Sequence, residues 1–486
     1  MFTCTRFEIY LHQMVFLTIY IPLPSGIVFN RTSEISKMKL RIFLNTLLIF
    51  FLYTISNSVL ADNAPPCSWA GGSATKTYDP SEPYMDTKLF VDQVEDSLSN
   101  LNLKGYAAAV VNKSGDVVAS IYKGVARTKC DPDGYEPYTS YTRGGVGSVT
   151  KIVTSLALLS ALETSPKDLD TLLIDVLPFR WRNKLHDRFS GVTLRHLASH
   201  TAGLLRESCG SHNPLSGLKK SLFTGELLGS GCGNNEAPPA VGVKQYSNTG
   251  FKFIGELFGY IAMPSLMAWH EDRYKNANDE DYDRTLISIS HNMFYHKVRQ
   301  MFDKINAKAD MCGTHNYVGT NWSYANVYSS GQDTHGTILD FDPQDYPYWT
   351  CGAGTLIVSV RDLARFMSYV ENTELIISKE SLSEMKEPTI RVGWYDKSVV
   401  GPYDEDFYPH NGLWNPSIGG GSIRGWLGVS DNYYVAFHTQ TTPAADGNGV
   451  PTTDRISNAM RASINARLKD NAVKTINAAN NIIFTQ

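Results

Sequence analysis

The fold is decided at Gly147-Ser148-Val149-Thr150-Lys151, which runs straight into the apolar stretch Ile152-Val153-Thr154-Ser155-Leu156-Ala157-Leu158-Leu159-Ser160-Ala161-Leu162. A serine and a lysine three residues apart at a helix start lie on one face, so the lysine amine reaches the serine hydroxyl. That contact is a way to make an unreactive alcohol a nucleophile. The spacing alone singles out nothing, because Ser-x-x-Lys also occurs at Ser36, Ser73, Ser120, Ser216 and Ser383. Context separates Ser148 from these. Gly144, Gly145 and Gly147 precede it and let the backbone turn sharply, and the residues after it read as a buried helix. The plainer alternative is an N-cap serine beside a solvated lysine.

Working outward, 486 residues exceed the usual size of one domain, so two lobes or one elaborated domain are expected. Charged residues make up 19% and the formal net charge is -4, which leaves no basic stripe for nucleic acid. Met38 to Ala61 reads as a secretory signal: Lys39 and Arg41, the apolar run Ile42 to Ile55, and the small-residue site Val59-Leu60-Ala61. A mature chain would begin at Asp62, and the region 1–61 is upstream extension and signal. The rival is an uncleaved anchor, since Ile42 to Leu60 is nearly long enough to span a bilayer. The expected location is therefore secreted or periplasmic, or else tethered to a membrane through that segment, with no other membrane partner.

Beyond Cys4, six cysteines remain, an even number that suits disulfides in an exported chain. Cys209 with Cys232 and Cys312 with Cys351 are the first pairs to consider, with buried free thiols as the alternative. No Cys/His spacing suggests a metal site, and no cofactor is expected.

Asp62 to Tyr84, rich in Pro, Gly and Ser, reads as an irregular arm with Cys67 as its tether. Lys88 to Leu101 has helical periodicity, and Tyr106 to Val111 and Val117 to Tyr122 form a hairpin around Asn112-Lys113-Ser114-Gly115-Asp116. Thr193 caps a short helix ending near His200, with Gly203 as terminator; without a carboxylate or third ligand, His196 and His200 are read as structural. In Lys244-Gln245-Tyr246-Ser247-Asn248, a phenol and an amide two apart in an extended loop project to one side. Met263 to Tyr348 contains helical periodicity around Ile287 to Ile305 and no further motif. Ser359 caps an amphipathic helix carrying Asp362 in its first turn. Ile418-Gly419-Gly420-Gly421-Ser422 leads through Gly425 to the strand Tyr433 to Thr439, and the last helix runs from Asp454 to Leu468.

Together, these segments resemble the serine beta-lactamase and penicillin-binding-protein-like family, in its class C beta-lactamase and esterase branch. The resemblance rests on Val146-Gly147-Ser148-Val149-Thr150-Lys151, on Thr193 through Leu204, on Tyr246-Ser247-Asn248-Thr249-Gly250, and on Ala353-Gly354 through Arg361-Asp362-Leu363-Ala364. It implies an α/β (α+β) fold: an antiparallel sheet flanked by helices, about 85–150 and 350–486, with a mostly helical lobe inserted at about 151–349, all within a hydrolase domain 62–486. It implies Ser148 as nucleophile, Lys151 for proton transfer and Tyr246 as general acid/base, with Asn248 binding substrate. The family's third motif is commonly Lys-Thr-Gly or His-x-Gly followed four residues later by glycine. Taking Gly425 as that glycine puts Gly419 to Ser422 on the motif, makes Gly421 and Ser422 substrate-binding, and removes the cation. The second alignment uses His410-Asn411-Gly412.

A missing cation disfavours substrates with a carboxylate. The resemblance thus points to an exported serine hydrolase forming an acyl-enzyme with an ester or amide, its partner a small-molecule or peptide-like acyl substrate. The alternatives are a beta-lactamase or D-alanyl carboxypeptidase, and an inactive binding protein on the same fold. Oligomeric state is not legible in the sequence.

Overall fold

The computed structural model describes residue 67 and residues 72–204, 219, 222–224, 239–311, 323–328, 351–387, 391–393, 398–400, 405–414, 422–441 and 452–483. All of them lie in one compact unit, Ala64–Gln486. The signal segment Met38 to Ala61, Cys209, Cys232, Cys312 and Gly421 fall outside the described residues.

The strands in chain order are β1 (Thr75–Tyr78), β2 (Gly105–Asn112), β3 (Val117–Arg127), β4 (Glu136–Pro137), β5 (Arg143–Gly145), β6 (Ala309–Asp310), β7 (Ile357–Ser359), β8 (Ser398–Val400), β9 (Glu405–Trp414), β10 (Ile423–Ser430) and β11 (Tyr433–Thr439). The main sheet runs β1-β3-β2-β11-β10-β9-β8 with every pairing antiparallel, and β4 pairs with β3. A second sheet has the order β5-β7-β6. The principal helices are α1 (Thr87–Leu98), α2 (Thr150–Leu162), α3 (Leu194–Ala198), α4 (Asn248–Glu256), α5 (Asp279–Asp303), α6 (Val360–Asn372) and α7 (Thr452–Ile483).

The centre of the main sheet is apolar on both faces, and strand alternation sorts its side chains into two cores. Tyr106, Ala108 and Val110 of β2, with Val435 and Phe437 of β11, pack with Phe90 and Val94 of α1 and Ile456 and Met460 of α7. Ala107, Ala109, Val111 and Ala436 face the other way, against Leu363, Phe366 and Met367 of α6. The result is an antiparallel sheet between helical layers, as expected. Helix α2 is buried nearly all round, which matches its uninterrupted apolar run; it packs among α4, α5 and the short helix Phe258–Ala262.

Local chemistry explains most boundaries. Asp86 caps α1 by accepting from the Leu89 amide at 2.9 Å. Ser359 caps α6 through the Asp362 amide at 3.0 Å, and Thr193 and His196 form a reciprocal capping box on α3. The β2–β3 hairpin turns where expected, with Gly115 at φ +83.

Two expectations need correction. Part of the stretch read as an irregular arm is an edge strand: Thr75-Lys76-Thr77-Tyr78 has β-prone residues and pairs with β3. The arm is tethered through Cys67 as expected: it bonds to Cys130, 63 residues on, in a loop after β3. Cys351 is also disulfide-bonded. The last helix is longer than its apolar periodicity, running from Thr452 to Ile483, since Ala- and Asn-rich polar turns continue it past Leu468.

Candidate active site

Ser148 sits in a short 3-10 turn, Gly147–Val149, at the N-terminal end of α2. Gly147 has φ +55, and a Cβ there would lie 2.8 Å from the Leu413 amide nitrogen of β9. Only glycine permits that approach. The turn is held from several sides. Val146 N–H donates to the Leu356 carbonyl at 3.1 Å, and Thr150 Oγ1 donates to the Gly147 carbonyl at 2.6 Å while accepting from the Leu356 amide at 3.0 Å. The side chain of Gln440 brackets Gly145 as a strand would: its Oε1 accepts from Gly145 N–H at 3.2 Å, and its Nε2 donates to the Gly145 carbonyl at 3.0 Å. Nothing in the sequence pattern pointed to Gln440.

Lys151 is fully buried, with Nζ 3.1 Å from Ser148 Oγ and 2.6 Å from the Ala353 carbonyl oxygen. The Ala353 carbonyl is placed by the Gly352 turn at φ +81, where a Cβ would strike the Phe251 carbonyl at 2.4 Å, and by Thr154 Oγ1, which donates to Gly352 O at 2.7 Å. Tyr246 donates its hydroxyl to Ser148 Oγ at 2.5 Å, and its ring centroid lies 4.9 Å from Lys151 Nζ. One oxygen therefore faces both an amine and a phenol, brought together from two separate stretches of sequence.

Asn248 departs from expectation. Ser247 has extended dihedrals and is the N-cap of α4, so Asn248 opens a helix instead of continuing a loop, and the two-residue strand spacing to Tyr246 does not apply. Its half-buried side chain lies in the segment that supplies Tyr246.

The third motif also differs. The strand beside the nucleophile is β9, and it carries His410-Asn411-Gly412, the second alignment. A Cβ on Gly412 would meet the Val146 carbonyl oxygen at 1.9 Å and Ser148 N at 3.3 Å; one on Gly425 would meet the same oxygen at 2.5 Å. Gly425 pairs with Gly412 across the β9–β10 ladder. It is the cross-strand partner of Gly412, on the neighbouring strand rather than four residues further along the same one. Ser422 stands at the head of β10, buried, its hydroxyl without a partner among the described residues.

His410 is buried, with Nδ1 2.9 Å from the Asn411 carbonyl oxygen, and burial together with the nearby Lys151 charge lowers its pKa to about 3. His200, read as structural, borders the site: its ring stacks on Tyr246 with centroids 4.6 Å apart, and burial and the Lys151 charge lower its pKa to about 3. Both imidazoles are neutral near pH 7. His196 serves its capping role on α3. Among the described residues, no three His, Cys, Asp or Glu side chains are grouped to hold a metal.

A buried lysine and a phenol converge on a serine at a helix N-terminus, beside a sheet strand, an arrangement able to activate the serine hydroxyl. Residues 91–265 match the family model described as Beta-lactamase. The class C beta-lactamase of Rhodobacter sphaeroides is similar in fold at 15% identity and TM-score 0.51, the match covering 78% of this chain and 99% of that one. The D-amino acid amidase of Ochrobactrum anthropi matches at 13% identity and TM-score 0.51, over 79% and 99%. The octameric penicillin-binding protein homologue of Pyrococcus abyssi matches at 19% identity and TM-score 0.50, over 79% and 77%. No curated protein is similar enough in sequence to count as a match. The beta-lactamase model thus covers residues 91–265, and the likeness to these solved structures is one of fold.

Proposed function

We propose that this enzyme is an exported acyl-transfer hydrolase for esters or amides that carry no carboxylate next to the scissile bond. The observation that carries the reading is the convergence of Lys151 Nζ and Tyr246 Oη on Ser148 Oγ, at 3.1 and 2.5 Å. Ser148 Oγ attacks the substrate carbonyl carbon, and its proton passes to the unprotonated member of the Lys151–Tyr246 pair. The pair then delivers that proton to the departing alcohol or amine. Water adds to the acyl-serine in the second half, giving its proton to the pair, and the carboxylic acid leaves as Ser148 regains its hydrogen. The Ser148 amide and the Leu413 amide of β9, which lies beside Gly147, are the candidate oxyanion donors, each such donor contributing about 3 kcal/mol. Asn248, half-buried at the start of α4, is the candidate to orient the substrate carbonyl or amide.

Specificity follows from His410. With His410-Asn411-Gly412 taken as the third motif, a neutral, buried imidazole stands where a lysine would supply a permanent charge, so a substrate carboxylate gains no ion pair there. The preference for substrates without a carboxylate thus rests on His410 and not on a glycine in its place. The Cys67–Cys130 disulfide and the signal-like segment Met38 to Ala61 support export. Among the described residues, no helix is long and apolar enough to cross a membrane.

The test is a panel of chromogenic esters and amino acid anilides run beside nitrocefin, whose nucleus carries a carboxylate. Turnover of uncharged esters or amides well above nitrocefin is expected. The reverse order would assign the site to beta-lactams.

A further inference from the structure

We infer that His200 is a positioning residue that fixes Tyr246 against the nucleophile. The inference rests on the role proposed above for Tyr246. The segment before α4 has no regular secondary structure from Lys244 to Ser247, so neither a helix nor a strand ladder holds Tyr246. His200 makes three contacts around it. The His200 carbonyl accepts from Gln245 N–H at 2.8 Å, and His200 Nδ1 accepts from Ser247 N–H at 3.0 Å. Tyr246 is therefore clamped at the amides on both sides of it, and its ring lies against the imidazole at 4.6 Å and 27°.

A single residue can make all three contacts because its backbone is left-handed, with φ +63, a conformation few non-glycine residues adopt. The contact to Ser247 N–H requires Nδ1 to be unprotonated, which puts the ring proton on Nε2; that atom is buried without a partner among the described residues. Phe251 closes the other side at 5.0 Å between centroids. A neutral aromatic ring is thus held rigidly against the phenol. The Tyr246–Ser148 contact tolerates little drift, since a misplacement of about 1 Å costs on the order of a hundredfold in rate.

The variant His200→Asn isolates the ring. Asparagine is among the residues most tolerant of positive φ, keeps the carbonyl for Gln245, and offers Oδ1 to Ser247. His200→Gly, equally suited to the backbone, is the second variant if the first does not fold, with folding checked by circular dichroism and thermal midpoint. Each is made alone and with Tyr246→Phe, and Ser148 labelling by a fluorophosphonate is followed for the rate at saturation and the half-saturating concentration. His200→Asn should lower the saturated rate roughly tenfold, change half-saturation by less than about twofold, and cost nothing further in the Tyr246→Phe background. An equal loss in both backgrounds, or no loss in the wild type, overturns the inference and leaves the hydrolase reading standing. A Tyr246→Phe variant that labels at the wild-type rate sinks the role of Tyr246 and this inference with it.

Discussion

Gly412 lies so close beneath Val146 that a Cβ would stand 1.9 Å from the Val146 carbonyl oxygen, a distance that backbone atoms cannot accommodate without moving. This contact seats the nucleophile turn on β9, and it joins the fold to the chemistry at one residue.

Gly412→Ala should therefore act on both. The turn must lift off the sheet, which costs about 1–3 kcal/mol as overpacking and displaces Ser148 from Lys151 and Tyr246. The expected outcome is a lower thermal midpoint and a loss of ester turnover of at least a hundredfold, measured below that midpoint. Gly425→Ala, with its clash at 2.5 Å, should show the same defect in milder form.

Lys151 is buried with its Nζ shared between Ser148 and the Ala353 carbonyl. Lys151→Met keeps the stem and removes the amine, and should reduce kcat by about 10²–10⁴ while the protein stays folded. Lys151→Arg should not restore activity, because a guanidinium has no lone pair with which to accept the serine proton. Steady-state kinetics on a p-nitrophenyl ester read both variants.

The sequence disclosed more of the chemistry than of its geometry. Ser148, Lys151 and Tyr246 were legible because their residue types make sense only together, and their flanking glycines and apolar runs placed each at an element boundary. Asn248 reads as a loop residue because Ser247 is an N-cap whose side chain makes no capping bond, so no signal marks the helix start. The choice between the two third-motif alignments is not legible in one dimension, because a glycine across a ladder and a glycine along a strand look alike there. His200 was passed over since its function depends on a left-handed backbone and on a ring 46 residues away, as 246 − 200 gives.

Stability should fall in mild acid. Burial lowers the pKa of His200, His291 and His410 to about 3 and of His438 to about 4, with the Lys151 charge adding to the effect at His200 and His410. In the unfolded chain these groups take up protons below about pH 6.5. Between the two limits the unfolded state holds more protons, so stability is complete above pH 7 and is lost as pH falls, by up to about 1.4 kcal/mol per pH unit for each imidazole. Glu256 works the other way. Burial raises its pKa well above the usual value, and the folded state keeps a proton that the unfolded state loses above about pH 4.5. Asp362 and Glu371, also raised by burial, act as Glu256 does, but the four imidazoles outweigh these three carboxyls, and denaturant midpoints should drop between pH 7 and 5. Glu256→Gln should gain stability relative to wild type as pH rises, read from the same titration.

The central claim is that Ser148 is the nucleophile, and adduct mapping tests it most directly. The folded protein is incubated with a fluorophosphonate, digested and analysed by mass spectrometry, with Ser148→Ala as control. The account predicts one adduct, on the peptide containing Ser148, absent from the variant and accompanied by loss of turnover. An unlabelled Ser148 in folded protein, or a Ser148→Ala variant that still hydrolyses esters at the wild-type rate, would contradict it.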